Sequence, residues 1–237
     1  MSLFDTFLYQ PLFNLLVLIY NFIPGSDIGL AIIGLTLIVK LILYPLSKKA
    51  LESQKSLQAI QPKVQELKVK HGKDQQALAA DLMKVYSENK VNPFSSCLPI
   101  LIQIPVFIAL YQVFQHGLDQ GSGLDMLYSF VENPGTIDPV SFGLVDLAKP
   151  QPVLAVLAAV SQYLQTKMMM ANNPPPIAGS TDEATVAMMN KQMLYMMPIL
   201  TLVISFGLPG GLTLYWFVST LLMMAQQSWM FREVAKK

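Results

Sequence analysis

The chain has 237 residues, of which 53% are hydrophobic and only 13% charged, with a formal net charge of +1. A soluble globular domain carries about 25% charged residues, so the shortfall excludes an ordinary water-soluble fold, and the near-zero balance gives no electrostatic footprint for nucleic acid. The single cysteine, Cys97, excludes an intramolecular disulfide and argues against a zinc site; inside an apolar run it reads as a small packing residue.

Residues 1–26 carry no basic stretch before the first apolar run, no small-residue cleavage site and no lipobox cysteine, so no secretory signal is expected. Pro11 to Ile23 is apolar but only 13 residues long. Gln10, Asn14 and Asn21 share one helical face there. This pattern predicts an interfacial amphipathic helix in the headgroup region. The alternative, a further span starting near Leu3, is opposed by Asp5, Pro11 and Pro24.

Five apolar runs then approach the roughly 20 residues that a bilayer requires. They are Ile28 to Leu46, Cys97 to Phe114, Pro152 to Thr166, Met193 to Leu208 and Leu212 to Trp229. The expected fold is an all-α polytopic membrane protein of five transmembrane helices. The first span covers residues 27–46, a cytoplasmic helical hairpin 47–93, the second span 94–116 and an extracytosolic loop 117–150. The third span covers 151–167, a cytoplasmic loop 168–191, the fourth span 192–208, the fifth 209–230 and a cytoplasmic tail 231–237. The third and fourth runs are short, which predicts tilt or local bilayer thinning.

In the hairpin, Leu51, Leu57, Ile60, Val64 and Leu67 recur at helical spacing among Lys, Glu and Gln. His71 to Asp74 reads as a turn, and Leu78, Leu82, Val85 and Tyr86 form a second stripe. Pro62 is expected to kink or restart the first helix, and Asn92-Pro93 to end the second. Pro174 to Pro176, followed by Gly179 to Asp182, reads as a mobile linker.

The basic residues orient the chain. Lys48, Lys49, Lys55, Lys63, Lys68, Lys70, Lys73, Lys84 and Lys90 lie between the first two spans. Lys167 and Lys191 lie between the third and fourth, and Arg232, Lys236 and Lys237 follow the fifth. The loop between spans two and three has only Lys149, against Asp119, Asp125, Glu132, Asp138 and Asp146. The Lys-rich segments are therefore expected in the cytoplasm, with the N-terminus outside and the C-terminus inside.

One cation breaks the apolar pattern. Lys40 sits within the first span, where a charge costs about 2.5–3.5 kcal/mol on insertion scales. Two readings stand: it snorkels to the cytoplasmic surface, or it faces a wet cavity. Thr36, Lys40, Tyr44 and Ser47 form one polar stripe. Gln103, Ser161, Gln162, Gln165, Thr201, Ser205, Ser219 and Thr220 add polar groups to the other spans, each also suited to interhelical hydrogen bonding. No acidic residue lies in any span, so only water or a ligand can stabilise the charge of Lys40 well. No HExxH, GxSxG or phosphate-binding glycine loop occurs, and the histidines are only His71 and His116. Neither catalysis, nor a metal, nor a cofactor is expected.

These residues resemble the YidC family of membrane protein insertases, which has relatives in mitochondria and chloroplasts. The likeness lies in Thr36-Leu-Ile-Val-Lys-Leu-Ile-Leu-Tyr-Pro-Leu46, Ile60-Gln-Pro-Lys63, Val91-Asn-Pro-Phe94, Cys97-Leu-Pro-Ile-Leu-Ile-Gln-Ile-Pro-Val-Phe107 with Ala109-Leu-Tyr111, and Pro209-Gly-Gly-Leu-Thr-Leu-Tyr-Trp216. It runs from about Pro11 to Glu233. The resemblance implies a five-helix core around a polar groove open to the cytoplasm and the lipid and closed outside. The family's groove cation falls on Lys40, where bacterial members usually have arginine; lysine keeps the charge and loses the planar donor fork. The groove threonine falls on Thr36, the second-span glutamine on Gln103, and the fifth-span aromatic pair on Tyr215 and Trp216. Ser219 is the groove candidate one turn further on. The large extracytosolic domain of many Gram-negative members and a long basic tail are both missing from this chain, which leaves the hairpin lysines Lys63, Lys68, Lys70 and Lys73 as the recruitment surface.

The implied function is a membrane protein insertase and chaperone of the bacterial plasma membrane. Nascent membrane proteins and the lipid bilayer are its expected partners, with the ribosome, the signal recognition particle receptor and the Sec translocon as further ones, and no small-molecule substrate. A small-solute or ion channel filtered by Lys40, or a passive scaffold, are the rival functions. The hairpin has a second reading as a brace for the spans. Met168, Met169, Met170, Met188, Met189, Met193, Met196 and Met197 read equally as an adaptable substrate surface or as ordinary packing.

Overall fold

A computed structural model describes residues 3–72, 74–92, 98–117, 123–170 and 183–232. Lys73, Cys97, Asp119, Pro174 to Asp182 and the last lysines lie outside these residues. The chain is mostly helical. A π-helical turn, Asp5–Tyr9, runs into α1 (Gln10–Phe22). Then come α2 (Ile28–Ile42), α3 (Tyr44–His71), α4 (Gln75–Glu88), α5 (Leu98–Gly117), α6 (Pro152–Met170), α7 (Glu183–Ser205) and α8 (Gly210–Arg232). Among the described residues the exception to an all-α reading is a two-residue antiparallel ladder, β1 (Val140–Ser141) with β2 (Val145–Asp146), paired Val140 to Asp146 and Ser141 to Val145.

The apolar run from Ile28 to Leu46 is not one helix. It ends at Ile42, and Tyr44 starts α3. Proline at position 45 lacks an N–H, and its ring collides with the carbonyl four residues earlier, so the ladder cannot pass through it. Pro62, by contrast, is accommodated within α3. Among the described residues no single helix is long and apolar enough to cross a membrane alone. Ile28–Ile42 taken with Tyr44–His71 is, by length and composition, and Leu101–Gln115 and Lys191–Ser205 are shorter apolar helices.

The contacts divide the chain into two compact units: residues 1–43, 101–162 and 198–237, and residues 44–100 and 163–197. The first unit has a dense core. Phe13, Leu16 and Val17 of α1, Ile28, Ile32 and Leu35 of α2, Leu110 and Phe114 of α5, and Leu212 and Tyr215 of α8 are all buried in it. The apolar face of α1 is therefore a packing face against protein. Its amide stripe is equally committed. Asn14 is buried; its Nδ2 donates to the Met126 carbonyl at 3.0 Å and its Oδ1 accepts from Tyr128 N at 2.6 Å. Gln10 also donates to Met126 O, and Asn21 to Glu132 O. The stripe that reads as a headgroup-facing surface thus satisfies the backbone of the 123–151 loop, which has few ladder partners of its own.

That loop is pinned to three helices. Asp27 caps α2 by accepting from Leu30 N at 2.9 Å, and the same carboxylate accepts from Ser141 Oγ at 2.8 Å and from Phe142 N. A side chain at Gly29 would run into Ser141, so the close approach of β1 to α2 requires glycine there. At the start of α8, Gly210 N donates to Lys149 O and Gly211 N to Leu147 O, both at 2.9 Å. Two otherwise unpaired helix-end donors are satisfied by the loop in this way.

In the second unit α3 and α4 form the expected hairpin. Ile60, Val64 and Leu78 are buried, Gly72 turns with φ +55°, and Asp74 caps α4 through Ala77 N at 3.1 Å. His71 Nε2 lies 2.7 Å from Asp81 Oδ2 and ties the two helices together at the turn.

Candidate functional site

The six groove candidates lie on three helices of the first unit: Thr36 and Lys40 on α2, Gln103 on α5, and Tyr215, Trp216 and Ser219 on α8. α2 packs directly against α8. Two of the six are joined across helices. Gln103 Nε2 donates to the Tyr215 hydroxyl at 2.7 Å, and Tyr215 also hydrogen-bonds Ser219, one turn along α8. Tyr215 and Ser219 are buried, whereas Gln103 is half-buried. The phenol is thus the centre of a polar chain inside an apolar core. Trp216 is half-buried and meets Phe107 of α5 edge to face, with centroids 5.4 Å apart.

Thr36 is wholly buried, and its hydroxyl donates to the Ile32 carbonyl at 2.6 Å. Its polar group is turned into its own helix, which satisfies it without an external partner. Lys40, one turn on, is half-buried and has neither a hydrogen-bond nor an ion-pair partner among the described residues. A half-buried ammonium with no counter-charge is an attractive site for an anion or for water. Of the other polar candidates, Ser161 donates to Ala158 O and Thr220 to Trp216 O within their own helices.

The recruitment candidates are in the second unit. Lys63 and Lys70 are exposed on α3, Lys68 is half-buried there, and Lys73 lies outside the described residues. Sequence reasoning missed Phe107 as the partner of Trp216, and Asp27 as the residue that joins α2 to the loop. The second had a signal: Ser26-Asp27 just before an apolar helical run is an N-cap pattern.

The surface around these residues is apolar. Leu101, Ile104 and Ile108 line one exposed face of α5, and Leu30, Leu37 and Leu41 one face of α2. Ile199, Leu200, Val203 and Ile204 do the same on α7, and Val153, Val156, Leu157, Val160 and Leu164 on α6. Exposed apolar stripes of this extent mark contact with lipid or protein. The 60Kd inner membrane protein family matches residues 18–237. The chain belongs to that family. It is 36% identical over 231 residues to the membrane protein insertase YidC of Histophilus somni strain 129Pt, covering 98% of this chain and 38% of the relative. The same identity and coverage hold for the YidC insertases of Pasteurella multocida strain Pm70 and Haemophilus influenzae strain PittEE. The chain therefore spans well under half the length of these relatives. Family membership makes this an inner-membrane-type protein, and the apolar stripes are then faces suited to lipid.

Proposed function

We propose that this chain is a membrane protein insertase. It receives the polar extracytosolic segment of a newly made membrane protein in a groove and releases the following apolar helix into lipid. The observation that carries the reading is Lys40, a half-buried cation without a partner among the described residues, on a helix that is otherwise almost wholly apolar. In this reading α5, α6, α7, α8 and α2 with the start of α3 span the bacterial plasma membrane, with the N-terminus outside. The groove opens to the cytoplasm and the lipid, with Lys40, Gln103 and Trp216 at its surface and Thr36, Tyr215 and Ser219 buried behind them. The 123–151 loop, fastened to the starts of α2 and α8, supports closure on the outer side.

The barrier to insertion is the transfer of a polar, often acidic, tail across about 30 Å of hydrocarbon. A carboxylate 4 Å from the Lys40 ammonium gains about 4 kcal/mol at an effective dielectric near 20. That offsets part of the desolvation of the tail midway. Burial of the substrate's apolar helix in lipid then drives the step. The hairpin bearing Lys63, Lys68, Lys70 and Lys73 recruits nascent chains by contact with the ribosome or the signal recognition particle receptor, and the Sec translocon is a further partner. This reading calls for no small-molecule substrate.

The test is insertion into proteoliposomes holding only this chain, using a single-span substrate with an acidic N-terminal tail. Protease protection of the tail should rise well above that of protein-free liposomes. Lys40→Leu should reduce it and Lys40→Arg should retain it. Protection equal to empty liposomes would sink the reading of an autonomous insertase and favour a channel or scaffold.

A further inference from the structure

The β1–β2 turn presents two large apolar side chains to the outside. Phe142 is 66% exposed and Leu144 is 85% exposed, separated only by Gly143. No charged residue lies between Asp138 and Asp146. The presentation is not a slack loop end. Phe142 has φ +52°, a left-handed conformation unfavourable for a bulky residue, and Gly143 follows with φ +66°. The Asp27 carboxylate holds the Phe142 amide and the Ser141 hydroxyl, while Leu147 N donates to Pro139 O at 2.8 Å across the base of the turn. The fold therefore holds a strained backbone in order to keep an aromatic ring outward.

The placement of the ring says what it faces. Phe142 and Gly143 line one cleft with Leu30 and the Pro24–Asp27 turn, at the first turn of α2. Leu30 begins the exposed apolar face that continues through Leu37 and Leu41. The turn thus extends that face beyond the helix start. Apolar tips flanked by carboxylates are the pattern of an interfacial anchor: the rings enter the acyl boundary while Asp138 and Asp146 stay in water.

We infer that the Phe142–Leu144 turn is an outer-leaflet anchor, in which both side chains are sunk in the headgroup–acyl boundary beside the start of α2. This fixes the height of α2, and of the loop fastened to it, against the bilayer surface. The inference takes its outer side from the topology proposed above, but its test reads depth in the bilayer and needs no substrate, so it can fail without the insertase reading failing.

The experiment places a nitroxide at Leu144→Cys in a Cys97→Ser background. The chain is reconstituted in phosphatidylethanolamine and phosphatidylglycerol vesicles. Power saturation then compares collision with oxygen, which concentrates in lipid, and with a water-soluble nickel chelate. The expected result is strong oxygen and weak nickel accessibility, with the reverse at the exposed control Glu132→Cys. Strong nickel accessibility at position 144 would place the tip in water and overturn the anchor. Weak accessibility to both would mean that protein covers it, which overturns it equally. As an independent readout, Phe142→Trp should add an emission component quenched by lipids brominated near the headgroup; unquenched added emission would count against the proposal.

Discussion

At the scale of single residues, the join between α8 and the loop depends on a missing side chain. A Cβ at Gly210 would lie 2.7 Å from Gln151 Cγ and 2.9 Å from the Lys149 carbonyl oxygen. The glutamine can swing away only by giving up the hydrogen bond that its Nε2 donates to the Asp146 carbonyl. The carbonyl cannot, because it accepts the Gly210 N–H itself. Gly210→Ala should therefore destabilise the chain by about 1–3 kcal/mol, the usual range for overpacking. A thermal melt in detergent would read this, with Gly207→Ala as control, since its nearest neighbour is a carbonyl 3.6 Å away. An unchanged melting temperature for Gly210→Ala would mean that the loop yields freely. The Pro209-Gly210-Gly211 sequence is legible as a helix start, but the carbonyls that meet it are not, because they come from a distant loop. The same limit applies to the candidate groove. Sequence picks out Lys40 and Gln103 as polar groups in apolar runs, and the family resemblance adds Tyr215. It cannot show that Gln103 and Tyr215 are joined while Lys40 has no partner among the described residues, since that depends on how each helix is rotated.

At the scale of elements, the turn after β2 works as a cap for α8. Asp146 organises it, with Oδ1 accepting from Ala148 N at 3.0 Å and Oδ2 lying 2.7 Å from Lys149 Nζ. The Lys149 hydrogen bond is the main cause that holds the Asp146 carboxyl below the usual carboxylate range; burial opposes it, and the Ala148 amide and the Lys149 charge add to the lowering. A carboxyl whose folded value is depressed contributes stability above its unfolded value, near 3.9, and loses it as pH falls through the folded value. Wild type should thus melt slightly above Asp146→Asn at neutral pH, and the gap should close below about pH 4. The gap is small because the pair is exposed and screened. A gap that persisted at low pH would show that the asparagine harms the turn by shape and not by charge. The helices themselves were largely legible, from apolar runs and from the hairpin's stripes. The break before Tyr44 was hidden because the apolar run continues across Pro45. The β1–β2 ladder was hidden because two-residue strands have no period to detect.

At the scale of the whole molecule, the ordering principle is the separation of charge along the sequence. The segment 47–93 carries the lysines of the hairpin, whereas 117–150 carries five acids and Lys149 alone. Positive charge is retained on the cytoplasmic side during insertion. The described part of the 117–150 loop, from Gly123 on, also fastens the starts of α2 and α8, through the Asp27 carboxylate at α2 and through backbone hydrogen bonds at α8. The hairpin, with Lys63 and Lys70 exposed, belongs to the second unit, together with residues 163–197. This predicts opposite labelling of two exposed positions in a Cys97→Ser background. Glu132→Cys should react with a membrane-impermeant maleimide in intact spheroplasts. Lys70→Cys should react only after the membrane is opened. Glu132 engages α1 through its backbone carbonyl, which the substitution leaves in place. Labelling of Lys70→Cys from outside would invert the topology, and with it the direction in which Lys40 draws a substrate tail.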